Sequence, residues 1–316
     1  MVDIQVLARR ITLCLSAALT GLGLALLGCA GSEGADEAIP RGSGALQAAS
    51  KAFVAAGTEK LEFPGSLKGL EIKLGRGRVR VVGGADAVLR VELTKLLRAN
   101  LSEADKGLAG KARMVPQIED GKLMLHAQAP DGSTGWTDLV GFDLIVRAPA
   151  TWSGGFERKE PTELPCVKID AVKGDVLAAD LRCALRVDTV SGKVSMNALN
   201  GEAVVHTAEG DISATGCAWQ LARLKSSGGR VDAALSELGS GNVVHLSSSA
   251  GDVRVALPAG ADCCVEADTT GGQVSTEMPA LEVGIRYSGR SLRGVLGSGS
   301  GLLKIQSTTG NIRIDG

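Results

Sequence analysis

The residues with the clearest capacity for chemistry are two aspartates and two basic residues that recur at one spacing. Asp170 and Asp188 each lie four residues before a glycine, and Lys168 and Arg186 lie six residues before the same glycines. Carboxylates and bases on one face of a protein could perform acid–base chemistry on a polysaccharide. The alternative, which we prefer, is that these side chains form ion pairs between neighbouring repeats.

Other kinds of site receive little support from the sequence. A serine nucleophile needs a histidine and an orienting acid beside it, and the chain has only His126, His206 and His245. No Cys-x-x-Cys spacing occurs, so neither a metal ion nor a cofactor is predicted. The net charge of −1, without a basic run, predicts no binding of nucleic acid. We therefore expect a protein that is not an enzyme.

One short pattern organises most of the chain: a glycine has valine or isoleucine two residues after it and aliphatic residues five and seven residues before it. These glycines are Gly77, Gly174, Gly192, Gly210, Gly229, Gly251, Gly272 and Gly310. The alternation between them predicts short strands with one buried face. Such strands bury that face only when the repeats stack. The sequence therefore predicts an all-β fold, a single-stranded parallel β-helix (β-solenoid) with an irregular N-terminal cap that contains one short helix.

Three positions in the repeat have expected roles. The glycine tolerates a positive φ at the corner between two strands. Hydroxyl residues three positions before it would point inward and hydrogen-bond along the stack; they are Thr189, Thr207, Ser226, Ser248, Thr269 and Ser307. The residue after each glycine faces solvent, and its charge alternates from Asp175 to Asp252. This alternation predicts a ladder of surface ion pairs rather than a row of calcium ligands.

The N-terminus has the features of an export signal. Residues 1–28 contain two arginines followed by an apolar stretch, as a lipoprotein signal peptide does. The stretch ends in Leu-Leu-Gly-Cys at residues 26–29, which resembles the bacterial lipobox. This resemblance implies lipid attachment at Cys29, and Ala30 after it resembles the signal for sorting to the outer membrane. The alternative is an uncleaved membrane anchor.

The rest of the chain divides into three ranges. Residues 29–57 are rich in Gly, Ala, Ser and acidic residues and are predicted to be a flexible tether. Residues 58–165 would be the N-terminal, β-rich part, with a short helix that begins at the capping box of residues 102–105. Residues 166–316 would form the regular coils, one of which is degenerate between Gly272 and Gly310. The Gly-Ser-Gly-Ser-Gly run at 297–301 precedes a strand, so it predicts a flexible turn and not a phosphate loop.

The cysteines of the exported chain suggest one pairing. Cys166 and Cys183 are 17 residues apart, close to one coil, and export would place them in an oxidising compartment. A disulfide between them is one interpretation. The alternative is that both are small apolar residues of the core.

Four segments carry a resemblance to the bacterial putative-adhesin family. They are Leu-Glu-Ile-Lys-Leu-Gly-Arg-Gly-Arg-Val-Arg-Val at 70–81, Val-Asp-Thr-Val-Ser-Gly-Lys-Val at 187–194, Ser-Ser-Ser-Ala-Gly-Asp-Val-Arg-Val-Ala-Leu-Pro at 247–258 and Lys-Ile-Gln-Ser-Thr-Thr-Gly-Asn-Ile-Arg-Ile at 304–314. This family is a domain of unknown function related to the head domains of autotransporter adhesins. The resemblance covers roughly residues 60–316 and implies a β-helix on an exported or membrane-attached protein. It supplies no catalytic residues.

Three functions remain open from the sequence. The preferred one is a non-enzymatic cell-envelope lipoprotein, an adhesin or binding scaffold held in the outer membrane by its lipid, whose partner is an envelope protein or a glycan. The second is a β-helical polysaccharide lyase or hydrolase, although the aromatic residues that a sugar site needs are scattered. Those residues are Trp136, Trp152, Trp219 and Tyr287. The third is a periplasmic signalling accessory.

Overall fold

The structure is a computed structural model that describes residues 53–128, 136–151, 166–286 and 289–316. Within these ranges the protein is all-β, with strands β1 to β22 and one α-helix, α1. The helices in these ranges are all too short or too polar to cross a bilayer. The predicted signal peptide and Cys29 lie outside the described residues.

The N-terminal part contains α1 and the first seven strands. Their bounds are β1 Phe53–Pro64, β2 Gly69–Arg76, β3 Val79–Gly84, β4 Val88–Arg98, α1 Glu103–Lys111, β5 Arg113–Glu119, β6 Lys122–Gln128 and β7 Val140–Pro149. A short 3-10 turn, Trp136–Asp138, comes before β7. Strand β1 begins at Phe53, inside the range predicted for the tether.

Fifteen further strands follow in the regular part. The first eight are β8 Val167–Lys173, β9 Val176–Ala179, β10 Arg182–Ser191, β11 Val194–Asn197, β12 Asn200–Thr207, β13 Ile212–Ser226, β14 Val231–Glu237 and β15 Val243–Ser248. The others are β16 Val253–Ala256, β17 Cys263–Thr269, β18 Val274–Thr276, β19 Leu281–Arg286, β20 Gly289–Leu296, β21 Gly301–Ser307 and β22 Ile312–Asp315.

The chain alternates between two ladders of parallel strands. The first ladder has the order β6, β2, β8, β10, β12, the second half of β13, β15, β21 and β17. The second ladder has the order β7, β3, β9, β11, the first half of β13, β14, β16, β22 and β18. One strand from each ladder forms a unit, and neighbouring units are hydrogen-bonded in register.

The order of units departs from a simple single-stranded helix at both ends of the stack. The last unit in sequence, β21–β22, lies between the β15–β16 and β17–β18 units. Likewise, β6 and β7 lie outside the β2–β3 unit. The degenerate coil predicted before Gly310 is instead the antiparallel hairpin β19–β20, which pairs with β17. Antiparallel strands β1, β4 and β5 cover the other end and so protect sheet edges.

The aliphatic side chains of successive units lie in columns along the stack, as the repeat predicts. Val194, Val231 and Val253 are completely buried and lie in one register with Ile212 and Ile312 in the second ladder. Because each of these side chains is covered by the same position of the next unit, burial is continuous along the stack. This contact removes apolar surface from water in every unit, which is the main source of its stability.

The repeated glycine is needed mainly for close approach of two backbones. A Cβ on Gly192 would overlap the carbonyl oxygen of Gly174, and the same clash recurs between neighbouring units at Gly174, Gly210, Gly229, Gly251, Gly310 and Gly272. The predicted positive φ occurs at Gly77, Gly174 and Gly192, with φ of 132°, 148° and 123°. The remaining corner glycines do not have it, so the prediction from turn conformation holds for only three of the eight.

The inward hydroxyls bond to this glycine backbone and not to one another. Ser226 Oγ accepts a hydrogen bond from the N–H of Gly229 at 2.8 Å and donates one to the carbonyl oxygen of Gly210 at 2.9 Å. Ser248 Oγ bonds in the same way to Gly251 and Gly229. The hydroxyls of Ser226, Ser248, Thr269 and Ser307 therefore each satisfy an N–H of their own unit and a carbonyl of the neighbouring one. Thr189 differs, because its hydroxyl donates to the carbonyl oxygen of Ser191 in its own strand.

The outward charges beside the glycines do not form the predicted ladder of ion pairs. Asp175 Oδ1 accepts a hydrogen bond from the backbone N–H of Lys193 at 2.8 Å, and Asp211 Oδ1 accepts one from the N–H of Arg230 at 2.8 Å. The ion-pair prediction was wrong because the short aspartate side chain reaches the backbone of the next unit first.

The predicted capping box and helix are present. Ser102 Oγ accepts a hydrogen bond from the backbone N–H of Asp105 at 3.1 Å at the N-terminus of α1, as an N-cap serine does. The helix ends at Lys111, and Lys95 Nζ donates hydrogen bonds to the carbonyl oxygens of Gly110 and Ala112. These bonds attach the helix end to β4.

Candidate functional site

The outward face of the first ladder carries most of the residues that the sequence singled out. Two rows of side chains run across its strands. The first row lies six residues before each glycine and contains Glu71, Lys168, Arg186, Val204, Arg223, His245, Lys304 and Glu266. The second row lies four residues before each glycine and contains Lys73, Asp170, Asp188, His206, Lys225, Ser247, Gln306 and Asp268.

At the N-terminal end of these rows, opposite charges pair within each strand. Lys168 Nζ lies 3.0 Å from Asp170 Oδ2, and Arg186 Nε lies 2.7 Å from Asp188 Oδ2. These hydrogen bonds raise the pKa of Lys168 and of Arg186. The predicted pairing across repeats is therefore wrong for these contacts, because residues two apart in a strand point to the same face and are within reach.

Two further contacts join neighbouring strands. Lys168 Nζ lies 3.6 Å from Glu71 Oε1, and His206 Nδ1 lies 3.3 Å from Asp188 Oδ1. Within β2, a hydrogen bond from Lys73 is the largest cause of the lowered pKa of Glu71. Asp170 and Asp188 are direct neighbours in register, so the structure does bring the two predicted carboxylates together, with a histidine beside the second.

A groove of about 740 Å³ lies next to this cluster. Asp170, Asp188 and His206 line it together with Trp136 and two valines, Val172 and Val190. The valines are 47% and 49% exposed, and they lie side by side on β8 and β10, so they form an apolar patch at the groove. A concave, largely apolar site with a few polar groups is the usual form of a binding site.

Trp136 forms one side of the groove, a position that the sequence did not predict. Arg76 Nε donates a hydrogen bond to the carbonyl oxygen of Thr137 at 3.2 Å, and its Nη2 lies 3.3 Å from Asp138 Oδ1. A Cβ on Gly75 would overlap the side chain of Thr137, so the glycine lets this turn approach β2. These contacts hold Trp136 beside the groove.

The other aromatic candidates have different outcomes. Trp219 is only 2% exposed and belongs to the core, so it offers no platform for a sugar. Trp152 and Tyr287 lie outside the described residues. A signal for the groove did exist in the sequence: valines two residues before Gly174 and Gly192 occupy positions that alternation predicts to face outward.

The two cysteines with a predicted pairing are both buried. Cys166 is 3% and Cys183 is 4% exposed, and the structure has both as free thiols. Burial raises the pKa of the Cys183 thiol, and the neighbouring Cys166 raises it further. Burial agrees with the alternative of apolar core residues, and the disulfide stays a prediction.

Metal ligands do not cluster in the part of the chain that the structure describes. No group of three or more His, Cys, Asp or Glu side chains in these ranges is arranged to hold an ion. The candidate site therefore consists of the groove and the charged rows beside it.

The Gly-Ser-Gly-Ser-Gly run at 297–301 encloses a carboxylate. Asp262 Oδ1 accepts a hydrogen bond from the N–H of Gly299 at 2.7 Å, and Asp262 Oδ2 accepts one each from the hydroxyls of Ser298 and Ser300 at 2.9 Å. These bonds, led by the one from Ser298, lower the pKa of Asp262 to about 2. The predicted flexible turn is therefore a hydrogen-bonded loop that joins β20 and β21 to the start of β17.

Replacing Asp262 with asparagine is expected to lower the melting temperature. The NH2 group of asparagine is a hydrogen-bond donor, and it would face donors of the loop where the carboxylate now accepts their hydrogen bonds. The folded pKa of about 2 lies below the ordinary value of 3.8 for an aspartate, so the ionised carboxylate stabilises the fold above about pH 4. That contribution is lost as the pH falls towards 2. The difference in melting temperature between wild type and Asp262→Asn should therefore shrink between pH 4 and pH 2.

Asp268→Asn is the control for this experiment, since it removes a carboxylate from the same strand region without touching the loop. Its difference from wild type should not follow the same pH dependence. Equal behaviour of the two variants would show that overall charge, and not the loop, produces the acid sensitivity.

The fold and the outward site together define a repeat protein built from stacked β-strand units. The family model Toastrack DUF4097 matches residues 140–315, which is more than half of the chain. The protein therefore belongs to the Toastrack DUF4097 family. No curated protein matches the sequence.

Several solved structures resemble the chain at low sequence identity. A putative cell adhesion protein from Clostridium sporogenes is 12% identical, with 82% of this chain and 99% of that one covered and a TM-score of 0.33. A putative adhesin from Bacteroides fragilis is 12% identical, with 82% and 97% covered and a TM-score of 0.37. A putative lipid binding protein from Parabacteroides distasonis is 11% identical, with 82% and 97% covered and a TM-score of 0.28.

Proposed function

We propose that this protein is a non-enzymatic binding scaffold of the cell envelope, anchored by a lipid on Cys29, whose stacked units form a β-solenoid. The observation that carries this proposal is the groove beside Trp136, where Val172 and Val190 are about half exposed. Exposed aliphatic side chains in a concave surface favour contact with a partner. That partner is an envelope protein or a glycan.

The charges beside the groove favour binding over catalysis. Asp170 and Asp188 each have a cation of their own strand within 3.0 Å. A nucleophile must be accessible to its substrate and lie beside its base. The exposed hydroxyl of Ser227 lines the groove together with His206, but the contact that His206 makes is with Asp188. The site therefore has groups that orient a ligand and lacks, in the described residues, a hydroxyl that is hydrogen-bonded to a base.

The lipid anchor and the groove suggest one experiment on the full chain. Val172→Lys together with Val190→Lys would place two charges in the groove while leaving the buried columns untouched. We expect binding to a glycan array, or cross-linking to an envelope protein in intact cells, to weaken about tenfold or more. Folding stability should change by less than about 0.5 kcal/mol, because both sites are on the surface.

The control is Val54→Lys together with Val295→Lys, since these valines are 59% and 54% exposed at other places on the surface. If both pairs of substitutions weakened binding equally, the groove would not be the binding site. The alternative function is a polysaccharide lyase or hydrolase, which the contact between Asp188 and His206 supports. If the protein released products from a polysaccharide and Asp188→Asn abolished this activity, the result would contradict the binding function and favour the enzyme.

A further inference from the structure

The C-terminal half of the same two rows has basic residues at its centre and two acidic residues, Glu266 and Asp268, at its end. Arg223, His245 and Lys304 are consecutive members of the first row, directly opposite one another on β13, β15 and β21. Lys225 lies next to them in the second row. Four basic side chains are thus gathered on three neighbouring strands.

Three of these four side chains have no acidic residue directly opposite them on a neighbouring strand. Arg223 lies opposite Val204 and His245, Lys225 lies opposite His206 and Ser247, and His245 lies opposite Arg223 and Lys304. Lys304 has Glu266 opposite it on β17. The strand pairs Lys168–Asp170 and Arg186–Asp188 neutralise the N-terminal half, whereas Arg223 has Lys225 as its neighbour two residues on. Like charges that are close together on one face repel, so a bound anion would relieve the repulsion between Arg223 and Lys225.

A small depression lies among these residues. Its volume is about 210 Å³, and it is lined by His206, Arg223, Lys225, His245, Ser247 and Lys304, with Gln306 at the side. The Nε2 atom of His245 is buried there without a hydrogen-bond partner in the described residues. Buried polar atoms in proteins are normally paired, so a ligand atom at this place would supply the missing contact.

The chemistry of the depression favours a compact, doubly charged anion. Its volume is below that of a usual pocket for a whole small molecule, which suits a single acidic group. The guanidinium of Arg223 can donate two parallel hydrogen bonds to such a group. Lys225, Lys304 and the hydroxyl of Ser247 add further donors from three strands.

We propose that this basic cluster binds the phosphate group of a phosphate monoester. The inference rests on the proposed binding function, because it assigns a ligand class to the same face of the first ladder. The phosphate oxygens would accept hydrogen bonds from Arg223, Lys225 and Lys304 and remove the repulsion among them. The monoester could be borne by a soluble sugar or by a lipid headgroup, and the chemistry of recognition is the same in both.

The test is calorimetric titration of the full chain with inorganic phosphate and with glycerol 3-phosphate, and sedimentation with vesicles. The vesicles are phosphatidylcholine alone or mixed with phosphatidic acid. We expect saturable binding of both soluble phosphates that weakens as salt rises. Arg223→Gln together with Lys304→Gln should weaken it about tenfold or more, the effect of losing a charge-assisted hydrogen bond.

The matched control removes the same two residue types elsewhere, by Arg113→Gln together with Lys60→Gln. Unchanged affinity in this variant supports the cluster, and an equal loss would overturn the proposal in favour of general charge attraction. Sedimentation with phosphatidic acid vesicles, in addition to soluble phosphate binding, identifies a lipid as one source. Sedimentation without soluble phosphate binding would overturn the proposal, because it would indicate adsorption to a charged membrane.

The groove variant separates this inference from the proposed function. Val172→Ser with Val190→Ser is the groove variant for this test, because it removes apolar surface without adding charge; it should leave phosphate affinity unchanged, since neither valine lines the depression. If phosphate does not bind while the groove variant still reduces partner binding, the proposed phosphate site is wrong and the proposed binding function is supported.

Discussion

Replacing Gly192 with alanine is expected to destabilise the protein by about 3 kcal/mol or more. The new Cβ would overlap the carbonyl oxygen of Gly174 in the neighbouring unit. Because the Cβ is fixed to its own backbone and the oxygen belongs to the backbone of a corner between two strands, neither can rotate away as a long side chain would. The φ of 123° at Gly192 adds strain for any residue with a Cβ. Urea unfolding of the full chain, followed by circular dichroism, measures the loss.

Gly216→Ala is the matched control for the glycine prediction. Gly216 also has a positive φ, 64°, but a Cβ there would meet nothing within 4 Å. It should therefore cost only the conformational strain, about 1–2 kcal/mol. If the two variants lost equal stability, close approach of the glycine backbones would not be the reason for the repeat.

Replacing Ser226 with alanine is expected to destabilise the protein by about 2–4 kcal/mol. Its hydroxyl is completely buried and bonds to the N–H of Gly229 and the carbonyl oxygen of Gly210. The alanine variant leaves both backbone groups buried without a partner, and each unsatisfied group costs about 1–3 kcal/mol. The same urea unfolding measurement applies.

Ser226→Thr tests whether the hydroxyl is responsible. Threonine occupies the same position in other units, at Thr207 and Thr269, and bonds there to Gly210 and Gly272. This variant should lose less stability than the alanine variant, since it keeps the hydroxyl and adds a methyl group that Thr207 and Thr269 accommodate at the same position. A loss as large as that of the alanine variant would mean that packing around the side chain, and not its hydrogen bonds, limits stability.

Much of the unit structure could be read from the sequence. Alternation around each glycine predicts the buried columns, and Val194 and Val231 are found where the pattern places them. The capping box predicts helix α1, because Ser102 and Asp105 are in local contact. These predictions succeed because they depend on residues close together in the chain.

The candidate site was only partly predictable. Asp170 and Asp188 were expected to be neighbours, and the register confirms it. The ion-pair partners of these aspartates were not predicted, since Lys168 and Arg186 pair with the aspartate of their own strand. A long side chain on a strand face can reach either neighbour, and the spacing of residues does not decide between them.

Sequence alone determined that each unit is two short strands joined at a glycine, with an aliphatic interior and a hydroxyl beside the corner. Only the tertiary structure decided the order of the units, placing β21–β22 inside the stack and Trp136 beside the groove. The physical reason is that all units present the same columns and the same backbone edges. Any unit can therefore stack on any other, and the choice depends on long-range pairing that no single repeat encodes.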